Sequence, residues 1–427
     1  MAMETVEVLK LNLHGETVGY LAGYQGGRNI LIFDPAYVAD PNRPTFTLSG
    51  MADHPAAGKI YASPWVRQQR LHPVLSNLLP EGALRDWFAQ VLKVHPENEF
   101  PLFAQLAADL PGALVAEPLA PDQIPEGVLE HRAQVEAVPR MVLDGRPHFS
   151  LAGVQMKFSM HEADGRFNIS QPDSLGEWIV KTPSTRHRDV PVNEYTVMKL
   201  AEQVGVNIPE IKLVGLDQLQ DLPPINLPSE QYAYAIRRYD RDGQSGRIHA
   251  EDFAQVLFKY AHEKYGTTNF EQIGKVLYQF TGHGLANVQQ MARRLLVNIL
   301  LGNGDAHLKN WSLIYPDRIT AELAPAYDIV YTQAYIPGES QVSLNLAGNK
   351  DWYAMNMSHF EAWAKSVEAP WRAIKPHLDE VMEKARSTWH LIGKDCTRTL
   401  SSSNLCISER RDSLVVRDLW LYLLQER

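Results

Sequence analysis

The sequence predicts an α+β fold built from three consecutive parts. A small mixed subdomain is predicted over residues 1–140, a β-rich lobe over 141–240 and a helical lobe over 241–427. Two observations favour this division. Alternation of apolar and polar residues, which is typical of half-buried strands, marks the start of the chain and the middle part. A period near 3.6 residues dominates the C-terminal part.

The N-terminal part combines a β-meander with helices. Apolar residues alternate over residues 4–13 and recur at 18–21 and 29–33, which predicts antiparallel strands. Residues 72–110 change to helical periodicity. The stretch 117–138 is rich in Pro, Glu and Gln and predicts a linker to the middle part.

The two remaining parts differ in helix content. In the middle part, strand patterns surround one predicted helix at 193–204, and a proline-containing surface loop is predicted over 217–229. In the C-terminal part, helices are predicted at residues 250–264, 269–280, 284–301, 358–367, 371–389 and 408–425. A β-rich lobe followed by a helical lobe predicts a cleft between them.

Composition excludes several classes of protein. The 427 residues are 45% hydrophobic and 21% charged, as is ordinary for a globular protein, and the net charge of −9 argues against a protein that coats nucleic acid by itself. The N-terminus lacks the basic start and apolar core of a signal peptide, and no apolar run reaches the roughly 20 residues that span a bilayer. With only two cysteines, Cys396 and Cys406, these features predict a cytoplasmic protein without membrane contact.

Three side chains of the C-terminal part form the pattern of a phosphoryl-transfer site. Asp305 lies in the segment Gly304–Asn310, Asn310 follows five residues later, and Asp328 comes after a short strand and turn. In protein kinases the first Asp accepts the proton of the attacking hydroxyl, while the Asn and the second Asp hold Mg²⁺ against the phosphates of ATP. One carboxylate and one amide are enough, because Mg²⁺ takes its other oxygen ligands from water and phosphate.

Two other interpretations of this segment are open from its residues alone. A spacing of five between Asp and Asn occurs often by chance in loops. Asp305 and His307 are also residue types that bind zinc, although the chain has neither an H-E-x-x-H motif nor a cysteine cluster to complete such a site. The order of further motifs along the chain favours phosphoryl transfer.

The middle part supplies the other elements of a kinase in the required order. A loop of small residues, Ser150–Lys157, precedes a strand that ends at Lys181, and Glu194 opens the predicted helix. Residues 231–240 are predicted to form a strand that leads into a hinge. Backbone amides of such a loop cover phosphates, a lysine binds them as a point charge, and a glutamate orients the lysine.

Three side chains of this set have alternative roles. Glu194 either favours the first turn of its helix through its charge or pairs with Lys181. Lys309 is either a solvated side chain or, as we predict, a cation that neutralises the charge of the transferred phosphate. His307 is predicted to brace the loop by hydrogen bonds rather than to transfer protons.

Six short motifs lie along this order. They are Ser-Leu-Ala-Gly-Val-Gln-Met-Lys, Ile-Val-Lys-Thr-Pro, Asn-Glu-Tyr, Tyr-Asp-Arg, Gly-Asp-Ala-His-Leu-Lys-Asn and Tyr-Asp-Ile. Together they resemble the HipA family of serine/threonine kinases, which are the toxin halves of bacterial toxin–antitoxin pairs. The segment Leu75–Gly82 is similar to one that this family carries in its N-terminal subdomain. The resemblance covers the chain from about residue 6 to the early 350s and is weaker after that.

The resemblance implies a bilobal protein-kinase-like fold, with ATP and Mg²⁺ as cofactors and Ser150 as a site of autophosphorylation. Together with the residue pattern, it predicts catalysis by Asp305 and Lys309 and metal binding by Asn310 and Asp328. The predicted ATP-binding residues are Ala152, Gly153, Val154, Gln155, Lys157, Lys181, Arg237, Tyr239, His307, Asn310, Tyr327 and Asp328.

The same resemblance implies macromolecular partners. The expected partners are a small helix-turn-helix antitoxin similar to HipB and, as the phosphorylated protein, an aminoacyl-tRNA synthetase. Contact with DNA is expected mainly through the antitoxin, since the pair represses its own operon.

Two residues depart from the family pattern. Met156 stands where a glutamate usually precedes the loop lysine, and Arg237 stands where the hinge usually carries a glutamate. They keep open a second hypothesis, a weakly active kinase-fold corepressor that binds a DNA-bound antitoxin. A third hypothesis is a small-molecule phosphotransferase, which would share the Asp/Asn pattern. The N-terminal 140 residues and the Ser150 loop argue against it.

Overall fold

The computed structural model describes residues 2–106, 110–128, 138–142, 155–169, 176–222, 227–243 and 246–399. Some of the predictions concern residues outside these ranges. They are those for Ser150, Ala152, Gly153, Val154, Cys406, the part of the linker at 129–137, the part of the surface loop at 223–226 and the helix at 408–425.

An antiparallel sheet forms the centre of the N-terminal part. The strands of this part are β1 (Ala2–Val6), β2 (Val8–Leu13), β3 (Glu16–Tyr24), β4 (Arg28–Phe33), β5 (Trp65–Gln68), β6 (Leu114–Pro118) and β7 (Val138–Val142). Five of them pair in the order β5–β4–β3–β2–β6, and β1 pairs separately with β7. The predicted meander is confirmed for β2 to β4, although residues 4–13 divide between two sheets.

Short helices cover one face of this sheet. They are α1 (Pro35–Ala39), α2 (Ala57–Ile60), α3 (Pro73–Ser76), α4 (Gly82–Leu92) and α5 (Glu99–Leu106). Leu9 and Leu31 of the sheet are buried in one cluster with Leu75 of α3 and Phe103 of α5, so burial of apolar surface holds the two layers together. On the opposite face, Ile124 of the predicted linker is buried against the sheet.

The described residues of the middle part form six strands and one long helix. They are β8 (Lys157–Ala163), β9 (Arg166–Ile169), β10 (Trp178–Lys181), α6 (Val190–Gln203), β11 (Ile211–Gly215), β12 (Leu219–Gln220) and β13 (Tyr232–Arg237). The sheet order is β11–β13–β10–β8–β9–β12, with α6 packed against β11 and β13. The predicted helix at 193–204 is confirmed with an earlier start, because Pro191 fits the first turn. It ends before Gly205, whose φ of +89° does not continue a helix.

The C-terminal part is mainly helical. Its strands are β14 (His249–Asp252), β15 (Ser312–Tyr315), β16 (Glu322–Leu323), β17 (Gln341–Leu346) and β18 (Asn349–Asp351). Its helices are α7 (Phe253–Val256), α8 (Phe270–Phe280), α9 (Gly284–Leu300), α10 (Met357–Val367) and α11 (Trp371–Thr399). The predicted helices at 269–280, 284–301 and 358–367 are confirmed, and the one at 371–389 extends to residue 399.

The helix predicted at 250–264 is wrong. Residues 249–252 form β14, which pairs with β15, and α7 is only one turn long. The side chain of Asp252 accepts a hydrogen bond from the backbone N–H of Gln255, which starts the turn at residue 253. The turn ends at Phe258, whose φ of +53° breaks the helical path. Because all four residues of α7 are buried, the apolar pattern alone could not separate a strand from a helix.

One large hydrophobic cluster joins the middle and C-terminal parts. It contains Val197 of α6 and Tyr234 of β13 together with Leu295 of α9 and Trp311 beside β15. This packing brings the end of β10 and the start of α6 close to the loops that follow α9 and β16. No helix in the described part of the chain combines the length and apolar character that crossing a membrane requires.

Candidate active site

Three parts of the chain meet at the ammonium group of Lys181. Lys181 ends β10, Glu194 lies in the first turns of α6, and Asp328 follows β16. The Nζ atom of Lys181 lies 2.5 Å from Oε1 of Glu194 and also donates a hydrogen bond to Oδ1 of Asp328. The side chain of Lys181 is only 5% exposed. The contact between Lys181 and Glu194 is therefore present, and the partly exposed Asp328 completes a three-residue ion cluster.

Lys181 and Asp328 stabilise each other's charge, whereas burial raises the pKa of Glu194 despite its contact with Lys181. Burial alone would lower the pKa of Lys181, but the carboxylates of Asp328 and Glu194 outweigh it and raise that pKa. Burial alone would raise the pKa of Asp328, but the ammonium groups of Lys157 and Lys181 outweigh it and lower that pKa below its ordinary value. Lysine and aspartate are thus both ionised at neutral pH.

A second lysine lies beside the same carboxylate. Lys157 of β8 is paired directly across the sheet from Lys181, so both side chains point to one face. Two like charges in such a pair destabilise a sheet unless an opposite charge separates them. The Oδ2 atom of Asp328 supplies it, at 3.5 Å from Nζ of Lys157. Two cations on one face of the sheet also suit the phosphates of a nucleotide.

Asp328 reaches this position through an unusual backbone conformation. Its φ is +54°, in the left-handed region where aspartate is more readily tolerated than most residues. Next to it, Tyr327 donates a hydrogen bond of 2.8 Å to the carbonyl of Lys309. The segment after β16 is thereby attached to the loop after α9.

The loop after α9 presents Asp305 at the surface. The side chain of Asp305 is 51% exposed. Its backbone N–H donates to Oδ1 of Asn303 (3.1 Å), and its carbonyl accepts a 2.7 Å hydrogen bond from Nδ2 of Asn310. On the side chain, the hydroxyl of Tyr265 donates to Oδ1 at 2.5 Å. Asp305 and Asn310 are thus placed together by hydrogen bonds within the loop.

The residues predicted to bind metal line one small cavity. Asn310 and Asp328 both face it. Because Nδ2 of Asn310 donates to the carbonyl of Asp305, the amide oxygen is the atom that remains to bind a cation. One carboxylate and one amide oxygen fit Mg²⁺, which needs few ligands from protein. In the described ranges there is no group of three or more His, Cys, Asp or Glu side chains that could hold a metal, so the zinc interpretation has no support there.

His307 lies within the loop and is nearly buried. Its backbone N–H donates to the carbonyl of Asp305 and its carbonyl accepts from the N–H of Asn310. Burial lowers the pKa of the imidazole, with partial opposition from the charge of Asp305, whose Oδ1 is 3.9 Å away. These two hydrogen bonds are made by the backbone of residue 307, while Nδ1 of the ring is buried without a hydrogen-bond partner among the described residues. Bracing of the loop by the His307 side chain therefore stays a prediction.

Lys309 has partners that the sequence did not indicate. Its ammonium group lies 2.9 Å from the carbonyl oxygen and 3.1 Å from Oδ1 of Asn77, and 3.0 Å from Oδ2 of Asp252. The side chain is 15% exposed. The role of Lys309 as a cation for the transferred phosphate stays a prediction, because all these partners belong to the protein.

The predicted hinge residues differ in exposure. The side chain of Arg237 is 46% exposed and lies 3.4 Å from Oε2 of Glu210, and its backbone N–H donates to the carbonyl of the same residue. Tyr239 and Tyr327 stack with their ring centres 5.5 Å apart. The ATP-binding roles of Arg237, Tyr239 and Tyr327 stay predictions.

Gln155 and Met156 lie directly before β8, and the part of the predicted phosphate loop that precedes them is outside the described residues. Nε2 of Gln155 is buried and has no hydrogen-bond partner among the described residues, which suits a donor to an anionic ligand. Met156 is buried in the core of the middle part, and its carbonyl accepts from the N–H of Thr182 at 2.9 Å. Of the two residues that depart from the family pattern, Met156 is thus a core side chain and Arg237 is exposed.

Tyr265, Asn77 and Glu81 contact the loop after α9, and the sequence did not indicate these contacts. Tyr265 contacts Asp305 from 40 positions earlier in the chain, while Asn77 and Glu81 contact Lys309 from more than 200 positions earlier. No local spacing could have found Tyr265. The other two lie in the segment Leu75–Gly82, whose resemblance to the family was noted without an assigned role.

The fold and this site define the class of protein to which the chain belongs. The family model for the HipA-like C-terminal domain matches residues 149–389, more than half of the chain, and the model for the HipA N-terminal domain matches residues 9–117. The chain belongs to the HipA family of kinases.

Relatives of known sequence agree with this assignment. The chain is 40% identical over 390 residues to the Sinorhizobium fredii protein named "Putative kinase Y4dM", covering 91% of this chain and 92% of the relative. It is 27% identical over 338 residues to the "Serine/threonine-protein kinase toxin HipA" of Shewanella oneidensis, covering 73% and 74% of the two chains.

A solved structure confirms the bilobal kinase-like fold. The structure is that of the Shewanella oneidensis toxin–antitoxin complex of HipA, HipB and operator DNA. It matches with a TM-score of 0.68 and 21% identity, covering 97% of this chain and 96% of the matched chain. At that identity the match supports the fold alone.

Proposed function

We propose that this protein is an ATP- and Mg²⁺-dependent serine/threonine protein kinase. One observation carries the proposal: the ammonium of Lys181 lies between Glu194 and Asp328, while Asp328 and Asn310 line a common cavity. A kinase needs its lysine–glutamate ion pair and its metal-binding aspartate in place at the same time. Membership of a kinase family supports the use of ATP.

The residues have complementary roles in the proposed reaction. The carboxylate of Asp305 accepts the proton of a serine or threonine hydroxyl, whose oxygen then attacks the γ-phosphorus of ATP as ADP leaves. Lys157 and Lys181 bind the phosphates as point charges. Asn310 and Asp328 would hold Mg²⁺, which neutralises charge on the phosphates when it is bound.

We also propose that the kinase is the toxin of a toxin–antitoxin pair. The support is its similarity to a serine/threonine-protein kinase toxin and to a structure in which HipA is assembled with HipB and operator DNA. The family resemblance further supports a small helix-turn-helix antitoxin as partner, an aminoacyl-tRNA synthetase as substrate, and autophosphorylation of Ser150. A cytoplasmic location belongs to the same proposal.

Substitution of Asp305 tests the kinase function. Asp305→Asn keeps the size of the side chain but removes the proton acceptor, so phosphate transfer from labelled ATP should fall by about 10²–10⁴-fold. The matched control is Asp379→Asn, which breaks an exposed ion pair with Lys375 on α11 and should leave transfer unchanged. Both proteins should still gain melting temperature with Mg²⁺ and ATP.

The outcomes separate the proposed function from its alternative. Transfer and growth arrest that persist in Asp305→Asn at equal expression would refute the kinase assignment. Nucleotide binding without any transfer in the wild-type protein would favour the weakly active corepressor.

A further inference from the structure

A cage of oxygen atoms surrounds the ammonium group of Lys309. Two come from Asn77, at 2.9 and 3.1 Å, and one from Asp252, at 3.0 Å. Oε1 of Glu81 lies slightly further away, at 3.6 Å. Asn77 is buried, and the side chains of Asp252 and Lys309 are only 13% and 15% exposed. Holding a lysine in one place costs side-chain entropy, so several simultaneous contacts are needed to fix it.

Asn77 and Glu81 are themselves anchored to the C-terminal part. Nδ2 of Asn77 donates to the carbonyl of Lys259 at 2.7 Å, and Oε2 of Glu81 accepts from Nζ of Lys264 at 2.8 Å. Burial would raise the pKa of Glu81, but the charges of Lys309 and Lys264 lower it, so the carboxylate is ionised at neutral pH. The segment from 77 to 81, which we call the N-terminal clamp, therefore binds two lysines of the catalytic lobe.

The backbone of Lys309 is also held in place. Its carbonyl accepts the 2.8 Å hydrogen bond of Tyr327, the neighbour of Asp328. The next residue is Asn310, whose amide donates to the carbonyl of Asp305. The position of Lys309 therefore sets where Asn310 and Asp305 lie relative to Asp328.

We propose that Asn77 and Glu81 are positioning residues for phosphate transfer, acting through Lys309. The N-terminal clamp holds the lysine so that the amide of Asn310 faces the metal-binding carboxylate of Asp328. The proposal rests on the proposed kinase function. It makes the N-terminal part a component of the active site, because the catalytic loop takes its shape from residues more than 220 positions away in sequence.

The test compares full-length variants by their use of Mg²⁺ and ATP. Asn77→Leu removes the side-chain oxygen that accepts a hydrogen bond from Lys309. Glu81→Gln removes the negative charge of residue 81 and nearly keeps the shape of its side chain. Supporting interactions around metal ligands typically contribute about 10–100-fold to metal affinity or activity. We expect Asn77→Leu to lower kcat, measured as the rate of ADP formation, by about 10–100-fold, with little change in KM for ATP. Glu81→Gln should lower kcat by a smaller factor.

A second readout does not depend on turnover. In the presence of ATP, the Mg²⁺ concentration that gives half of the thermal shift should rise in Asn77→Leu, because Asn310 is displaced. Thr45→Val is the matched control. It removes a 2.7 Å hydrogen bond to the carbonyl of Ile319, which also joins the N-terminal and C-terminal parts but involves no residue of the clamp. That variant should keep the wild-type kcat and Mg²⁺ dependence, although it should melt at a lower temperature.

Lys309→Met separates positioning from direct action on phosphate. If Lys309 acts only as a cation for the transferred phosphate, Lys309→Met loses activity while Asn77→Leu keeps wild-type kcat and Mg²⁺ dependence, and the proposal is overturned. Parallel losses in both variants support it. A wild-type protein that shows no thermal shift with Mg²⁺ and ATP would instead refute the proposed kinase site itself.

Discussion

The hydroxyl of Tyr265 donates a hydrogen bond of 2.5 Å to Oδ1 of Asp305, the carboxylate that we propose as the proton acceptor. Burial, followed by the hydrogen bond and charge of Asp305, raises the pKa of this phenol, which therefore remains a donor at neutral pH. An acceptor hydroxyl would have to make the same contact with Asp305. Tyr265 is itself 47% exposed.

Removal of this hydroxyl should expose Asp305. A hydrogen bond to a charged group contributes about 1.5–3 kcal/mol. In Tyr265→Phe, the rate of ATP hydrolysis in the absence of a protein acceptor should therefore rise by roughly tenfold or more, with water as the acceptor. Tyr232→Phe, on the sheet of the middle part, is the control. A slower reaction in Tyr265→Phe would mean that the phenol assists Asp305 rather than competing for it.

Loss of the Asp328 carboxylate should abolish the effect of Mg²⁺ on the melting temperature. Asp328→Ala removes the only carboxylate that we assign to Mg²⁺, and it also leaves Lys157 and Lys181 without their shared partner. The wild-type protein should melt at a higher temperature with ATP and Mg²⁺ than with ATP alone, and the variant should show no such difference. Equal gains in both proteins would place the metal elsewhere.

Glu251 should make stability depend on pH. It accepts hydrogen bonds from Thr47, Leu48 and Tyr315, and burial raises its pKa from 4.5 to about 7. A raised pKa means that the folded protein binds this proton more tightly than the unfolded chain. The stabilisation of the folded state by the proton on Glu251 is fully present below pH 4.5 and is lost as the pH rises through 7.

Glu251→Gln tests this dependence, since its side chain cannot ionise. Between pH 4.5 and 7, the free energy of unfolding should fall by up to about 3 kcal/mol more in the wild-type protein than in the variant. Urea unfolding at several pH values measures the difference. Parallel curves for the two proteins would show that Glu251 titrates alike in the folded and unfolded states.

Ser150 is predicted to be the main site of self-modification. A phosphate there would add about −1.5 to −2 charges next to a loop that must bind the phosphates of ATP, and the modified protein should therefore be inactive. Ser150→Ala should lose the label from ATP while keeping the thermal shift with ATP and Mg²⁺. Mass spectrometry that locates the label on another residue would contradict the switch but not the kinase function.

The sequence could predict those elements whose signal is local. The strand that ends at Lys181, the helix that carries Glu194 and the spacing of Asp305 and Asn310 all depend on neighbouring residues, and each is present. The helix predicted at 250–264 failed for the opposite reason. Residues 249–252 are a strand because β15, some 60 positions later, supplies hydrogen-bond partners that no local pattern reveals.

The sequence by itself determined the residue types and the chemistry they allow: a proton acceptor, two cations for phosphate, and an amide with a carboxylate for Mg²⁺. Only the tertiary structure decided which partners those groups have. It placed Tyr265 on Asp305 and Asn77 on Lys309. The physical reason is that ion pairs and hydrogen bonds act over a few ångströms in space. Packing of the N-terminal part against the C-terminal part brings together residues that the chain keeps far apart.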